Sequence, residues 1–189
     1  MRIIAGSLRS RLLQSPKGKT CRPAMGRTRE ALFSMLEARG VNWPSCRVLD
    51  VFAGSGSLAL EAVSRGAPFA LALEQDASVL RALNYNIRSL ELEDRVQVLS
   101  GDALRLLRNC PLTPFDVVFL DPPYRQKYVE RALPLLSAGW LSERAFLICE
   151  LEHTLHLKLP CAFTLLAERL FGQTRIMILQ LASAKAEEV

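Results

Sequence analysis

The stretch RVLDVFAGSG, residues 47–56, joins a short apolar run to a turn that contains two glycines. Residues 58–65 follow with an amphipathic helical pattern, which Gly66 ends. A strand, a glycine turn and a helix in this order are typical of the first unit of a parallel sheet, and such sheets bind ligands at the carboxyl ends of their strands. The stretch therefore predicts a fold class and also the edge of the sheet that carries a site.

The alternation of apolar runs and helical segments continues along the chain. Further apolar runs lie at residues 69–73, 95–99, 115–120 and 145–149, with helical patterns at 77–90, 103–108 and 128–136 between them. The last two runs, 163–170 and 174–181, are separated by a short turn with Gly172, which is too short for a parallel crossover. We therefore expect an α/β, Rossmann-like sheet that ends in an antiparallel hairpin.

Length and composition indicate a packed globular protein of one domain. The chain has 189 residues, of which 50% are hydrophobic and 23% are charged. We expect a cytoplasmic protein without a membrane partner, because no apolar stretch is long enough for a signal peptide or a membrane span. The five cysteines are scattered and form no Cys-x-x-Cys pair, and His153 with His156 makes an incomplete ligand set, so we expect no metal site.

Charge is distributed unevenly along the chain. Residues 1–29 contain eight basic residues and no acidic one, whereas the remaining 160 residues carry 16 basic and all 19 acidic residues. Such polarity predicts an amino-terminal arm that contacts a polyanion. We divide the chain into a basic arm with a lead-in helix (1–40), a main domain (41–182) and a tail (183–189).

The glycine loop alone leaves three interpretations open. Gly54 and Gly56, with Ala59, satisfy the dinucleotide fingerprint, but they also suit a structural turn or a site for S-adenosylmethionine. Asp50 distinguishes these interpretations because its carboxylate would repel a pyrophosphate and attract the ammonium and sulfonium groups of S-adenosylmethionine. Glu74 and Asp102 follow the second and third apolar runs, where they could accept ribose hydroxyls and lie near an adenine.

Residues 121–124, DPPY, end the fourth apolar run at the same predicted edge. Two prolines make a rigid loop that can aim one carboxylate, one carbonyl and one ring at a flat substrate. Asp121 and the carbonyl of Pro122 could accept the two N–H bonds of an exocyclic amine and direct its lone pair toward a methyl group. Tyr124 could stack on the base.

These two motifs resemble those of S-adenosylmethionine-dependent methyltransferases that act on exocyclic amines. The whole chain is similar to the bacterial RsmD family, guanine-N2 methyltransferases of 16S ribosomal RNA of the small subunit. The similarity is carried by RIIAG (2–6), Arg22-Pro23, RTREALF (27–33), FAGSG (52–56), LEAVSRG (60–66), EQD (74–76), Asn86, DPPY (121–124) and FGQT (171–174). Residues 24–26, AMG, depart from the pattern that this family has after its Arg-Pro pair.

The resemblance implies a seven-stranded class I methyltransferase sheet with a small basic appendage that binds RNA. It also implies that S-adenosylmethionine is the methyl donor and that the substrate is 16S ribosomal RNA in an assembling 30S particle, and we expect a monomer. The implied cofactor-binding residues are Asp50, Phe52, Gly54, Gly56, Glu74 and Asp102. The implied RNA-binding residues are Arg9, Arg11, Arg22, Arg27 and Arg29.

Three other functions stay open at this point. DPPY recognises an amino group rather than one base, so adenine N6 or cytosine N4 of RNA or DNA are alternative targets. A dinucleotide-dependent oxidoreductase and a non-catalytic RNA-binding module are alternatives of a different class, which Asp50 and an intact DPPY oppose.

Overall fold

A single sheet of seven strands organises the protein. The computed structural model describes residues 1–15, 23–123, 127–155 and 157–182. The strands are β1 (Arg47–Asp50), β2 (Phe69–Glu74), β3 (Val96–Ser100), β4 (Phe115–Leu120), β5 (Leu141–Glu152), β6 (Phe163–Phe171) and β7 (Thr174–Leu181). Their order is β3-β2-β1-β4-β5-β7-β6, in which the first five are parallel and β7 is antiparallel to both neighbours. The predicted α/β architecture and its terminal hairpin are therefore confirmed.

In the described part of the chain, five α-helices cover the two faces of the sheet, and a 3₁₀ turn (Trp43–Ser45) precedes β1. The α-helices are α1 (Pro23–Glu37), α2 (Ser57–Ser64), α3 (Ala77–Ser89), α4 (Ala103–Leu106) and α5 (Tyr128–Ser137). One buried cluster joins α1, α2 and α3 to the sheet, and Phe33 lies at its centre, 5.7 Å from the ring of Phe119. The other cluster holds α4 and α5, where the indole N–H of Trp140 donates to the carbonyl of Leu107 at 2.9 Å. Within the described ranges, no helix is long and apolar enough to cross a bilayer.

Two elements are longer than the sequence pattern predicts. The apolar helical pattern of the lead-in helix covers residues 30–37, whereas α1 begins at Pro23, because proline is well suited to the first turn of a helix. β5 begins at Leu141 rather than at residue 145. Its first residues do not form an apolar run, because Glu143 and Arg144 are charged and exposed. Neither difference moves the carboxyl edge of the sheet.

Residues 1–15 are docked on the body of the protein through buried polar groups. The carboxylate of Glu61 on α2 is completely buried and accepts the backbone N–H of Ile4 at 2.7 Å and of Ala5 at 3.0 Å. Gly6 passes so close to α2 that a Cβ there would lie 1.9 Å from the carbonyl oxygen of Ser64. This part of the arm thus packs as part of the fold, while the boundary at residue 40 stays a prediction and the tail 183–189 lies outside the described residues.

Candidate active site

Acidic side chains from adjacent parallel strands meet at the carboxyl edge of the sheet. Asp50 and Glu74 are the last residues of β1 and β2, and Asp121 follows β4 directly. Asp102 comes two residues after β3 and begins α4. The parallel order β3-β2-β1-β4 therefore places the four predicted acids in one row along this edge.

The glycine loop is closed on one side and open on the other. Gly54 and Gly56 have φ angles of 56° and 84°, which favour glycine. A Cβ on Gly56 would lie 2.5 Å from a methyl carbon of Leu83 on α3, whereas a Cβ on Gly54 would meet nothing within 4 Å among the described atoms. Gly56 thus lets the loop pack tightly on α3, while the space beside Gly54 is open among the described atoms.

Asn86 links this loop to the amino-terminal arm. Its side chain is completely buried, and its amide nitrogen donates to the carbonyls of Ser55 at 2.9 Å and Gln14 at 3.0 Å. Its amide oxygen accepts the backbone N–H of Gln14 at 2.7 Å. One buried side chain therefore fixes both the glycine loop and the end of the docked arm. Asn86 is one of the residues that carry the family resemblance, but the helical pattern around it gives no sign of this role.

Asp50 is buried beneath the loop with one oxygen available. Its Oδ2 atom accepts the backbone N–H of Ala59 at 3.3 Å, while Oδ1 has no hydrogen-bond partner among the described residues. Burial, and then the nearby charge of Asp121, raise the pKa of Asp50 to about 7. A buried carboxyl with a free acceptor and a raised pKa would be stabilised in its ionised form by a cationic ligand.

Glu74 and Asp102 already bind backbone groups. Glu74 accepts the N–H of Gly54 at 3.0 Å and those of Gln75 and Asp76 at 2.8 Å each, so it ties the second strand to the glycine loop. Asp102 accepts the N–H of Arg105 at 2.8 Å and caps α4. Because a carboxylate has roughly four acceptor positions, each side chain keeps capacity for a ligand hydroxyl or amine.

Glu150 on β5 joins the site beside Asp121, and the sequence reasoning missed it. Leu120 of β4 pairs with Cys149 of β5 in the parallel ladder. The residues that follow them, Asp121 and Glu150, therefore lie side by side, on the face of the sheet opposite to Leu120 and Cys149. Burial, and then the charge of Asp121, raise the pKa of Glu150 to about 8. A signal was available, because Glu150 directly follows the apolar run 145–149, just as Asp121 follows the run 115–120.

Aromatic rings lie next to the Asp121 loop. Phe52, half-buried, packs against Tyr128 at the start of α5 with ring centroids 5.2 Å apart and planes tilted by 50°. Pro122 is buried and Pro123 is exposed, whereas the predicted stacking residue Tyr124 lies outside the described residues. Tyr128 opens an ordinary helical pattern, so no feature of the sequence marked it as part of this region.

The five predicted RNA-binding arginines have different positions. Arg9, Arg11 and Arg27 are exposed, and Arg22 lies outside the described residues. Arg29 is only 7% exposed, and its guanidinium donates to the carbonyl of Arg2. That placement is typical of a residue that anchors the amino terminus, so we exclude Arg29 from the residues we propose for phosphate contact.

Comparison with known proteins gives the family. A family model described as conserved hypothetical protein 95 matches residues 1–180. Ribosomal RNA small subunit methyltransferase D of Escherichia coli K12 is 36% identical over 182 residues, which cover 95% of this chain and 89% of that protein. The protein of the same name from Haemophilus influenzae is 38% identical over 175 residues, and the match covers 91% of this chain and 89% of that protein.

A solved structure agrees with this similarity. That of yhhF from Escherichia coli matches with a TM-score of 0.84 at 35% identity, and the match covers 96% of this chain and 97% of the other. The chain belongs to the RsmD family. It is a methyltransferase with the class I fold, and this membership favours methyl transfer over the oxidoreductase and over the non-catalytic module.

Proposed function

We propose that this protein transfers a methyl group from S-adenosylmethionine to the exocyclic N2 amine of a guanine in 16S ribosomal RNA. The observation that carries the proposal is the position of Asp121, which follows β4 beside the buried carboxyl of Asp50 and the partly buried carboxyl of Glu150. A cluster of three acids is electrostatically unfavourable by itself, so it suits a positively charged donor and an amino group.

The residues of the first strand and its loop fit S-adenosylmethionine. Asp50 offers a buried acceptor to a cationic group, and the open side of Gly54 leaves room for a ligand without a Cβ in the way. Glu74 and Asp102 can accept ribose hydroxyls and an adenine amine from the neighbouring strands. When bound, S-adenosylmethionine supplies a methyl group on a sulfonium and leaves as S-adenosylhomocysteine.

Asp121 and Pro122 position the amine in this proposal. The carboxylate of Asp121 and the carbonyl of Pro122 accept the two N–H bonds, which holds the nitrogen with its lone pair directed at the methyl carbon. One of those protons leaves the nitrogen after the new N–C bond has formed, and Asp121 accepts it and passes it to water. The catalytic set that we propose is thus Asp121, Pro122 and the stacking ring of Tyr124.

In this proposal Glu150 and Asp121 form a pair in which Glu150 carries the proton and Asp121 carries the negative charge. Because its pKa is raised to about 8, Glu150 holds its proton near neutral pH and can act as a hydrogen-bond donor toward its neighbour. Asp121 then remains the acceptor that the substrate amine requires. We propose Glu150 as the positioning residue for Asp121.

RNA reaches this edge along the basic arm. Exposed Arg9, Arg11 and Arg27 can contact phosphates, which position the RNA while the residues around Asp121 bind the base. A guanine in structured RNA must be splayed out to reach Asp121. We extend the proposal, by family resemblance, to a substrate in an assembling 30S particle and a protein that acts as a monomer.

Asp121→Asn tests the proposal directly, because it keeps the shape of the side chain and removes its charge. We expect turnover on 16S ribosomal RNA to fall by about a hundredfold or more, with the Kd for S-adenosylmethionine changed by less than about threefold. Asp116→Asn is the matched control on the same strand, since Asp116 lies at the opposite end of β4 and accepts the N–H of Arg47 at 2.8 Å. Full activity of Asp121→Asn would refute the assigned role.

A further inference from the structure

The outer face of α3 carries an aromatic residue between two arginines. Arg81, Tyr85 and Arg88 are spaced by four and three residues, so they lie on one side of the helix. All three are exposed, and Tyr85 has 58% of its surface accessible. The opposite side of α3, with Val79, Leu83 and Ile87, supplies the buried contacts. The exposed stripe is therefore not needed to hold the helix on the sheet.

Negative charge is absent from this helix. Residues 77–89 contain two arginines and no acidic residue. The nearest acids along the chain are Asp76, whose carboxylate caps α3 by accepting the N–H of Ser78 at 2.7 Å, and Glu91 beyond its end. The helix face itself thus carries two positive charges and no negative one, which suits a polyanion.

The docked arm continues the stripe. A guanidinium nitrogen of Arg11 donates to the carbonyl of Ser89, the last residue of α3, at 2.7 Å. Leu12 beside it is 63% exposed, and Gln14 is bound to Asn86 one turn earlier in the helix. The arm and α3 thus form one surface, which we call the α3–arm surface; it consists of Arg11, Leu12, Arg81, Tyr85 and Arg88.

We propose that the α3–arm surface extends the RNA-binding site of the arm onto α3 and holds the strand that flanks the target nucleotide. The arginines contact phosphates, and an unpaired base stacks on the ring of Tyr85. α3 begins three residues after Glu74 and runs away from the cofactor edge for about 20 Å, a span of several nucleotides. This inference rests on the proposed function, because it extends the path of the same RNA.

The alternation of arginine and aromatic side chains favours RNA over a protein partner. A protein-docking helix face of this length would present a continuous row of apolar anchors, whereas this face offers one ring and two guanidinium groups. Guanidinium groups bind phosphate oxygens in pairs and also stack on bases, which makes arginine well suited to single-stranded RNA.

Three variants test the proposal with unmodified 16S ribosomal RNA transcript as the probe. Arg81→Ala with Arg88→Ala should weaken RNA binding and reduce the slope of log K against log salt by about 1.5, because two phosphate contacts are lost. Tyr85→Ala should weaken binding about tenfold without changing that slope, and Tyr85→Phe should restore the affinity. Arg144→Ala with Arg169→Ala is the matched control, since these exposed arginines lie on β5 and β6, toward the other edge of the sheet.

Kinetics separate the two proposals. If the α3–arm surface binds RNA, the Tyr85→Ala and double-arginine variants raise the KM for RNA and leave kcat and the Kd for S-adenosylmethionine near the values of the control. If the wild-type protein methylates the RNA and these variants equal the control in KM and in binding, the surface proposal is wrong while the proposed function stands. A wild-type protein that neither binds nor methylates the RNA would overturn both.

Discussion

Replacing Asn86 with alanine should weaken both the fold and the cofactor site. The change removes three hydrogen bonds of 2.7, 2.9 and 3.0 Å and leaves the N–H of Gln14 and the carbonyls of Ser55 and Gln14 without this partner. At roughly 1 kcal/mol for each bond, the free energy of unfolding should fall by about 3 kcal/mol. Because the carbonyl of Ser55 belongs to the glycine loop, the Kd for S-adenosylmethionine should rise about tenfold, which corresponds to ~1.4 kcal/mol.

The control for this prediction is Asn84→Ala, because Asn84 lies on the same helix and is exposed. Urea unfolding should place that variant within about 0.5 kcal/mol of the wild type, and calorimetric titration should find its cofactor affinity unchanged. If Asn86→Ala matched Asn84→Ala in both measurements, the network would not support the loop and the reasoning would be wrong.

Three further predictions follow from single contacts. Gly56→Ala should lower cofactor affinity and the free energy of unfolding by more than Gly172→Ala does. Both glycines have a positive φ, but only at Gly56 would an added Cβ have a neighbour at 2.5 Å. Calorimetric titration measures the affinities and urea unfolding measures the stabilities. Gly6→Ala should detach the docked arm and weaken RNA binding, because the added Cβ would collide with the carbonyl of Ser64. An RNA Kd equal to that of the wild type would contradict this prediction. The pKa of Glu150 is about 8 in the folded protein and 4.5 in the unfolded chain, so Glu150 binds its proton more tightly when folded. The free energy of unfolding should therefore decrease as the pH rises from 4.5 to about 8. Urea unfolding at several pH values should show that Glu150→Gln removes part of this decrease.

Local patterns were enough to predict the sheet and the row of acids at its edge. Alternation of strands and helices, together with the short turn at Gly172, determines the order of parallel and antiparallel elements with few alternatives. Asp50, Glu74, Asp102 and Asp121 could be placed together because each lies at the end of a strand or just after it, and parallel strands share their carboxyl edge. These predictions needed only the periodicity of the chain.

Contacts between distant segments could not be predicted in this way. Glu61 and Asn86 read as ordinary helical residues, yet each binds the arm across more than 50 positions of sequence. Arg29 reads as one more basic residue of the arm, but tertiary packing turns it inward to the carbonyl of Arg2. The role of a helical side chain depends on which segment of the folded chain packs against its face of the helix. A single sequence does not show which segment that is.

The most direct test of the central claim is methyl transfer from labelled S-adenosylmethionine to unmodified 16S ribosomal RNA, free and in small-subunit particles. The product nucleosides would be separated and identified by mass spectrometry, with Asp121→Asn as the inactive reference. We predict that N2-methylguanosine is the labelled product. A label on adenine or cytosine would contradict the proposed substrate while keeping the site, and no transfer to either RNA despite cofactor binding would contradict the proposed function.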